Sequence, residues 1–240
     1  MMAEKELIIY GRNPVKEALR TNRVKSIFLM DGFSFKDILD LINEKHVQVT
    51  YLSNKEMSKL CDGVHQGVAA KVKNYEYYSL ESLIFAANKQ EHPVIVILDG
   101  INDPHNLGAI MRSCDVFSAS GIIISKHHQV SLNATVAKTS VGAINYVPVT
   151  LVNNLNQAIA KLKEEGFWIV STDGSANTNY QDLKYDFKVA LIIGSEGEGV
   201  SKLILNNSDY VVKIPEHGHI HSLNASVAAG ILLAKIKEND

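Results

Sequence analysis

Two hydrophobic patterns divide the chain. Over residues 6–73, short β-rich runs (ELIIY, SIFLM, VQVTYL, GVAAKV) alternate with helical stretches. Asn13-Pro14 offers a cap followed by proline at the first helical position, and Ser34 precedes FKDILDLINEKH; both are helix-start signals. The polar, tyrosine-bearing stretch KNYEYYSLESLIFAANKQEH has no clear sheet signal, and Pro93 opens a more apolar run. From residue 94 onward VIVIL, GIIIS, YVPVT, FWIVST, VALIIG and YVVKI are separated by helical patterns in NLGAIMRSCDVF, ATVAKTSVG and LNQAIAKLKEE, with a short helix after Ser201 and a final one at the end. Near-continuous apolar strands between amphipathic helices predict a parallel sheet covered on both faces. The expected fold is therefore α/β, with a small α/β unit over residues 1–75, a linker over 76–90 and a larger, mainly parallel domain over 91–240.

Composition narrows the setting. Hydrophobic residues make up 46% of the 240 and charged residues 21%, close to the globular average, and no apolar run approaches the roughly 18 residues of a bilayer span. The opening MMAEKELIIY is too polar for a secretory signal, and the only cysteines are Cys61 and Cys114. A reducing, cytoplasmic setting with no membrane partner is expected. The net charge of −2 neither announces nor excludes nucleic acid, because a polyanion needs only a locally basic surface. Arg12, Lys16, Arg20, Arg23 and Lys25 lie in one short stretch that could form such a surface, although a solvated helix face is the commoner origin of such a run.

Parallel sheets hold ligands at the carboxyl ends of their strands, which selects three loops: DGINDPHNLG, GSEGEG and PEHGHIHSLN. After the first, Leu107, Ile110, Met111, Cys114 and Phe117 follow helical spacing, while Asn106 and Arg112 lie off that stripe. Asn106 could be an ordinary helix cap and Arg112 an ordinary surface arginine, but Asn-x-Gly-x-x-x-Arg begins where the ligand crevice should lie. In the second loop, Gly194-Ser195-Glu196-Gly197-Glu198-Gly199 departs from the dinucleotide fingerprint and carries two carboxylates, which suits a positively charged ligand better than a pyrophosphate. In the third, His217, His219 and His221 would share one face of a regular strand. Pro215 and Gly218 argue against such a strand, and no metal is expected. Ser222 suits the N-cap of the last helix, with Asn224 in its first turn facing the same loop mouth.

In order and spacing, NLGAIMR, LIIGSEGEGVS and IPEHGHIHSLNASVAAGI resemble the three signature motifs of the SpoU (TrmH-type) class of SPOUT RNA ribose 2′-O-methyltransferases. YGRNPVKEAL and VHQGVAA resemble the opening and closing elements of the ribosomal-protein-like substrate-binding domain of members that methylate a guanosine of large-subunit ribosomal RNA. The resemblance implies a trefoil-knotted C-terminal domain, a homodimer whose interface helps complete each site, and S-adenosylmethionine as cofactor. It implies that Gly194, Ile214 and Leu223 frame the cofactor largely through backbone atoms, with Ser222 and Asn224 beside it. Asn106, Arg112, Glu196, Ser222 and Asn224 are the implied polar reaction site. The resemblance implies a base role for Arg112, but a guanidinium stays protonated in proteins, so the alternative expectation is that Arg112 clamps an RNA phosphate. Arg12, Arg20 and Arg23 are the expected RNA contacts. Glu216 stands where many members have methionine, and the neighbouring stretch is unusually rich in histidine.

Overall fold

The computed structural model describes residues 7–127, 129–219 and 222–238. In chain order its elements are β1 (Leu7–Tyr10), α1 (Arg12–Arg20), β2 (Val24–Met30), α2 (Lys36–Lys45), β3 (Gln48–Leu52), α3 (Asn54–Leu60) and β4 (Val68–Val72), then α4 (Leu80–Ala87), β5 (Val94–Asp99), α5 (Pro104–Val116) and β6 (Gly121–Ser125). There follow α6 (Ala134–Thr139), a 3-10 turn (Ala143–Asn145), β7 (Val149–Val152), α7 (Leu155–Glu164), β8 (Trp168–Thr172), β9 (Thr178–Asn179), β10 (Val189–Gly194), α8 (Lys202–Asn206), β11 (Tyr210–Lys213) and α9 (Ala225–Ile236). These fall into two compact units, one of residues 1–76 with 132–146, the other of 77–131 with 147–240.

The first unit has a four-stranded sheet in the order β1-β4-β2-β3. The β2–β3 pair is parallel, whereas β4 runs antiparallel to both β1 and β2. Val15, Ala18 and Leu19 of α1 and Ile38 and Ile42 of α2 are buried, at the three- and four-residue spacing that puts one helical face on a core. The capping box of Ser53 and Glu56 starts α3 by satisfying backbone N–H groups that a helix start leaves orphaned.

The sequence pattern assigns ATVAKTSVG to the parallel domain, but α6 packs on β1 and belongs to the first unit. Val136, Ala137, Ala143 and Ile144 are buried. The Lys138 ammonium sits 4.6 Å above the Tyr10 ring, and the Tyr146 hydroxyl donates to Glu17 Oε2 at 2.6 Å. Gly142 has φ +98°, and a Cβ there would fall 2.6 Å from Glu17 Cγ, so only glycine fits against α1. The helix pattern was legible in sequence, but which core its apolar face would join was not.

The second unit is built on a seven-stranded sheet in the order β7-β6-β5-β10-β8-β11-β9, with every pairing parallel. Both faces are covered, which explains why β5, β6 and β10 read as unbroken apolar runs. On one face Leu83, Ile84 and Ala87 of α4 join Ile95, Ile97, Ile123, Ile159, Leu162, Ile192 and Ile204 in a buried cluster. Residues 76–90, read from sequence as a linker, thus contain a helix seated in the core. That helix starts at the Ser79 cap, and Tyr78 N donates to Val149 O at 2.8 Å. On the other face α5 and α9 pack against each other through buried Leu107, Ile110, Met111, Cys114, Ala229, Leu232 and Leu233. Burial pushes the Cys114 thiol far above its ordinary range, so it behaves as a small apolar core residue. Among the described residues no helix is long and apolar enough to cross a membrane.

Candidate active site

Helix α5 begins at Asp103, whose carboxylate accepts from His105 N at 2.8 Å, with Pro104 in the first helical position. The cap being filled by Asp103, Asn106 has another task. It is only 8% exposed although it carries two donors and two acceptor sites, and a buried amide needs partners. Arg112 lies off the apolar stripe of α5, exposed, and makes no ion pair or hydrogen bond among the described residues.

Helix α9 is capped by Asn224, not by Ser222 as the sequence suggested. Asn224 Oδ1 accepts from Ser226 N at 2.9 Å, from Val227 N at 3.4 Å and from Ser226 Oγ at 2.5 Å. The amide oxygen reaches two orphan N–H groups of the first turn, whereas Ser222 lies two residues too early. With its oxygen committed to the helix, Asn224 must present its NH₂ group outward. Asn224 Nδ2 donates to Asn106 Oδ1 at 2.9 Å and lies 3.4 Å from Glu196 Oε1, and Asn106 Nδ2 donates to the same Glu196 oxygen. Two amides from different helices therefore converge on one carboxylate oxygen and leave Oε2 of Glu196 available.

Glu196 is carried by a self-closed loop after β10. Gly199 N donates to Ser195 O at 3.0 Å, and Glu198 N donates to Ser195 Oγ at 3.3 Å. The loop folds back so tightly that a Cβ on Gly194 would lie 2.1 Å from the carbonyl carbon of Gly199, so no side chain is possible there.

Beside this loop an open cavity of about 770 Å³, mouth included, is lined by Gly194, Glu196, Ile214, Ser222 and Leu223. Four of these come from two of the loops selected by the strand-end rule and Ile214 immediately precedes one of them; they meet at the carboxyl ends of β10 and β11. Thr172, Asp173 and Gly174 also line it and escaped the sequence reading. Thr172 ends β8 and the other two follow it, so the same rule applied to that strand's end would have found them. The walls combine apolar Ile193, Val212 and Leu223 with the carboxylates of Asp173, Glu196 and Glu216 and one ammonium, Lys213. Such a lining suits a ligand with an apolar plane and positive charge. Asn106, Asn224 and Arg112 lie outside this lining; the first two reach it through Glu196.

His217 and His219 are exposed after the end of β11, and His221 lies outside the described residues. Among the described residues no group of three His, Cys, Asp or Glu side chains is disposed to hold a metal.

The arginines of the first unit diverge. Arg12 stacks over the Phe35 ring with its guanidinium carbon 4.0 Å from the centroid. Arg20 pairs with Glu17 at 2.8 Å and keeps half its side chain exposed. Arg23 is turned inward: one guanidinium nitrogen donates to Lys73 O at 2.9 Å and Asn74 O at 2.8 Å, and its guanidinium carbon lies 4.4 Å from the Tyr75 centroid. Burial raises the Tyr75 phenol to about 12.

The second unit is thus a seven-stranded parallel sheet with a cavity at its strand ends, and the chain also carries a separate small α/β unit. Residues 93–234 match the SpoU rRNA methylase family, and residues 8–78 match the RNA 2′-O ribose methyltransferase substrate-binding domain. Bacillus subtilis YacO, named for the TrmH family of tRNA/rRNA methyltransferases, is 39% identical over 98% of this chain and 96% of its own length. A Staphylococcus epidermidis protein named for the same family is 40% identical over 96% of this chain and 95% of its own. Among solved structures, the SpoU methyltransferase AviRb of Streptomyces viridochromogenes in complex with AdoMet superposes with a TM-score of 0.82 at 22% identity, covering 97% of this chain and 89% of AviRb. An AdoMet-bound rRNA methyltransferase of Sinorhizobium meliloti gives 0.82 at 23% identity, over 98% and 87% of the two chains. This chain belongs to the SpoU/TrmH family of RNA methyltransferases.

Proposed function

We propose that the chain transfers a methyl group from S-adenosylmethionine to a ribose 2′-hydroxyl of RNA, the substrate being a guanosine of large-subunit ribosomal RNA. The observation that carries this reading is the convergence of Asn106, Glu196 and Asn224, from three distant segments, beside a cavity whose mixed apolar and acidic lining suits an amphipathic cation. The resemblance of the N-terminal motifs supports the guanosine and the ribosomal substrate.

The cofactor supplies a methyl group on a sulfonium, already activated toward an oxygen nucleophile. What remains for the chain is alignment and the hydroxyl proton. Alignment can contribute about 7–11 kcal/mol in favourable cases, against roughly 10²–10⁴-fold for a general base, so positioning is the larger effect. Gly194, Ile214, Ser222 and Leu223 wall the cofactor, and Asn106 with Asn224 fixes Glu196 at the cavity edge. Arg112, exposed and unengaged among the described residues, clamps the RNA phosphate bidentately, and the proton leaves to a phosphate oxygen or water. The chain acts as a homodimer. The resemblance supports this, since it implies a homodimer whose interface helps complete each site.

The first unit positions the RNA, with Arg12 and Arg20 as outward-facing candidates. Because residues 132–146 belong to that unit, deleting 1–75 would strip the cover from Val136 and Ile144; point variants are the cleaner probe.

The decisive experiment maps ribose methylation on total RNA from cells with and without the gene. Loss of one 2′-O-methylguanosine in large-subunit ribosomal RNA is expected; loss only of a base methylation, or only of a transfer RNA mark, would overturn the assignment. Arg112→Lys should keep some RNA binding and lose at least about 100-fold in turnover, and full turnover in that variant would remove the clamp.

A further inference from the structure

A second strand-end cavity lies on the other side of the loop that carries Glu196. It is open, about 920 Å³ with its mouth, and shares Ser195 and Gly199 of that loop with the cofactor cavity. Its position at the carboxyl ends of β5, β6, β7 and β10 is where a parallel sheet holds ligands. Leu155 and Ile204 supply apolar wall, and Asp99, Asn154, Asn156 and Glu198 supply polar groups. None of the described residues that line it is Lys or Arg. Its charged and titratable lining is two carboxylates, Asp99 and Glu198, against one imidazole, His127, so a phosphate meets like charge, whereas a flat heterocycle rich in N–H groups finds acceptors.

Three of these polar groups are held in fixed orientations by bonds that use only part of their capacity. Asp99 Oδ2 accepts from Ser201 N at 2.8 Å, leaving Oδ1 for a ligand. Asn154 Oδ1 caps α7 by accepting from Asn156 N at 2.8 Å and Gln157 N at 3.4 Å, which directs its NH₂ away from the helix. Asn156 Oδ1 accepts from Asn207 Nδ2 at 3.1 Å, and its own NH₂ remains. The cavity thus offers carboxylate acceptors together with amide donors. Of the RNA bases, only guanine combines two adjacent N–H donors on its Watson–Crick edge with carbonyl and ring-nitrogen acceptors on its other side.

We infer that this cavity takes an unpaired guanine of the substrate RNA, with Asp99 and Glu198 accepting its N–H donors and Asn154 and Asn156 donating to its acceptors. The inference rests on the proposed RNA methyltransferase reading and deepens it by assigning the recognition of a guanine base to this cavity. It implies base selection by the catalytic unit itself, separate from the arginines of the first unit.

The test uses the full chain and labelled pentaribonucleotides with a central guanosine, inosine or adenosine flanked by uridines, with binding followed by fluorescence anisotropy. Inosine lacks only the 2-amino donor. The guanosine pentamer is expected to bind about tenfold more tightly than either of the others, the ratio one good bidentate contact gives. The double variant Asp99→Asn with Glu198→Gln should erase that ratio, while S-adenosylmethionine titrated calorimetrically binds both proteins alike. Asp99→Asn keeps an acceptor for Ser201 N, and Glu198 is exposed, so the fold is retained. Equal affinity for the three pentamers in the wild-type chain, or a preference that survives the double variant, overturns the inference. Methyl transfer to ribosomal RNA by the wild-type chain, measured alongside, reports separately on the underlying activity.

Discussion

Two groups of polar residues contrast in how sequence distance maps onto space. Arg12, Arg20 and Arg23 lie within twelve positions and do three different things: one stacks on Phe35, one pairs with Glu17 at the surface, and one turns inward onto the carbonyls of Lys73 and Asn74. Asn106, Glu196 and Asn224 are separated by 90 and 28 positions, yet they form one hydrogen-bonded group. Helical rotation scatters neighbours around an axis, whereas a parallel sheet gathers the ends of distant strands into one rim. Clustering in sequence was therefore a poor guide to shared function in the first unit, and strand-end position was a good one in the second.

The largest effect should come from the loop that makes the convergence possible. Gly194→Ala forces a methyl group against the Gly199 carbonyl, backbone that cannot rotate away, so overpacking of at least about 1–3 kcal/mol is expected. Calorimetry should show cofactor affinity reduced at least about 100-fold together with a lower Tm; unchanged affinity would mean the loop has another shape.

Next, Asn224 separates its helix role from its site role. Asn224→Asp keeps an N-cap acceptor but removes the NH₂ donor and sets a second carboxylate against Glu196. Turnover should fall about 100-fold or more with little change in Tm, whereas Asn224→Ala should add a stability loss of about 1 kcal/mol from the missing cap. Equal Tm losses in the two variants would break the separation.

In the first unit the effects should be smaller and of a different kind. Arg23→Met removes charge-assisted bonds to two backbone carbonyls, and denaturant unfolding should register a loss of about 1–3 kcal/mol with cofactor affinity unchanged. Smallest of all, Arg20→Gln breaks an exposed pair and should alter stability by less than about 0.5 kcal/mol. It should reduce RNA affinity at low salt and lower the magnitude of the salt slope by about 0.7–0.9, the signature of one lost phosphate contact; an unaltered slope would remove Arg20 from the RNA surface.

The apolar runs VIVIL, GIIIS and VALIIG determined the parallel sheet by themselves, because strands buried on both faces must be apolar throughout. The strand-end rule named the three loops that carry the candidate site. What sequence did not determine were choices between energetically similar local solutions. Asp103 and Asn106, like Ser222 and Asn224, are all competent caps: Asp103 took the cap of α5 and left Asn106 to Glu196, whereas Asn224 caps α9 with its oxygen and reaches Glu196 with its NH₂ group. Likewise α6 and α4 have apolar faces that any core could accept, and tertiary packing sent one to the first unit and the other to the face of the parallel sheet. Burial drives both through a force without direction, so the partner surface, not the helix, makes that decision.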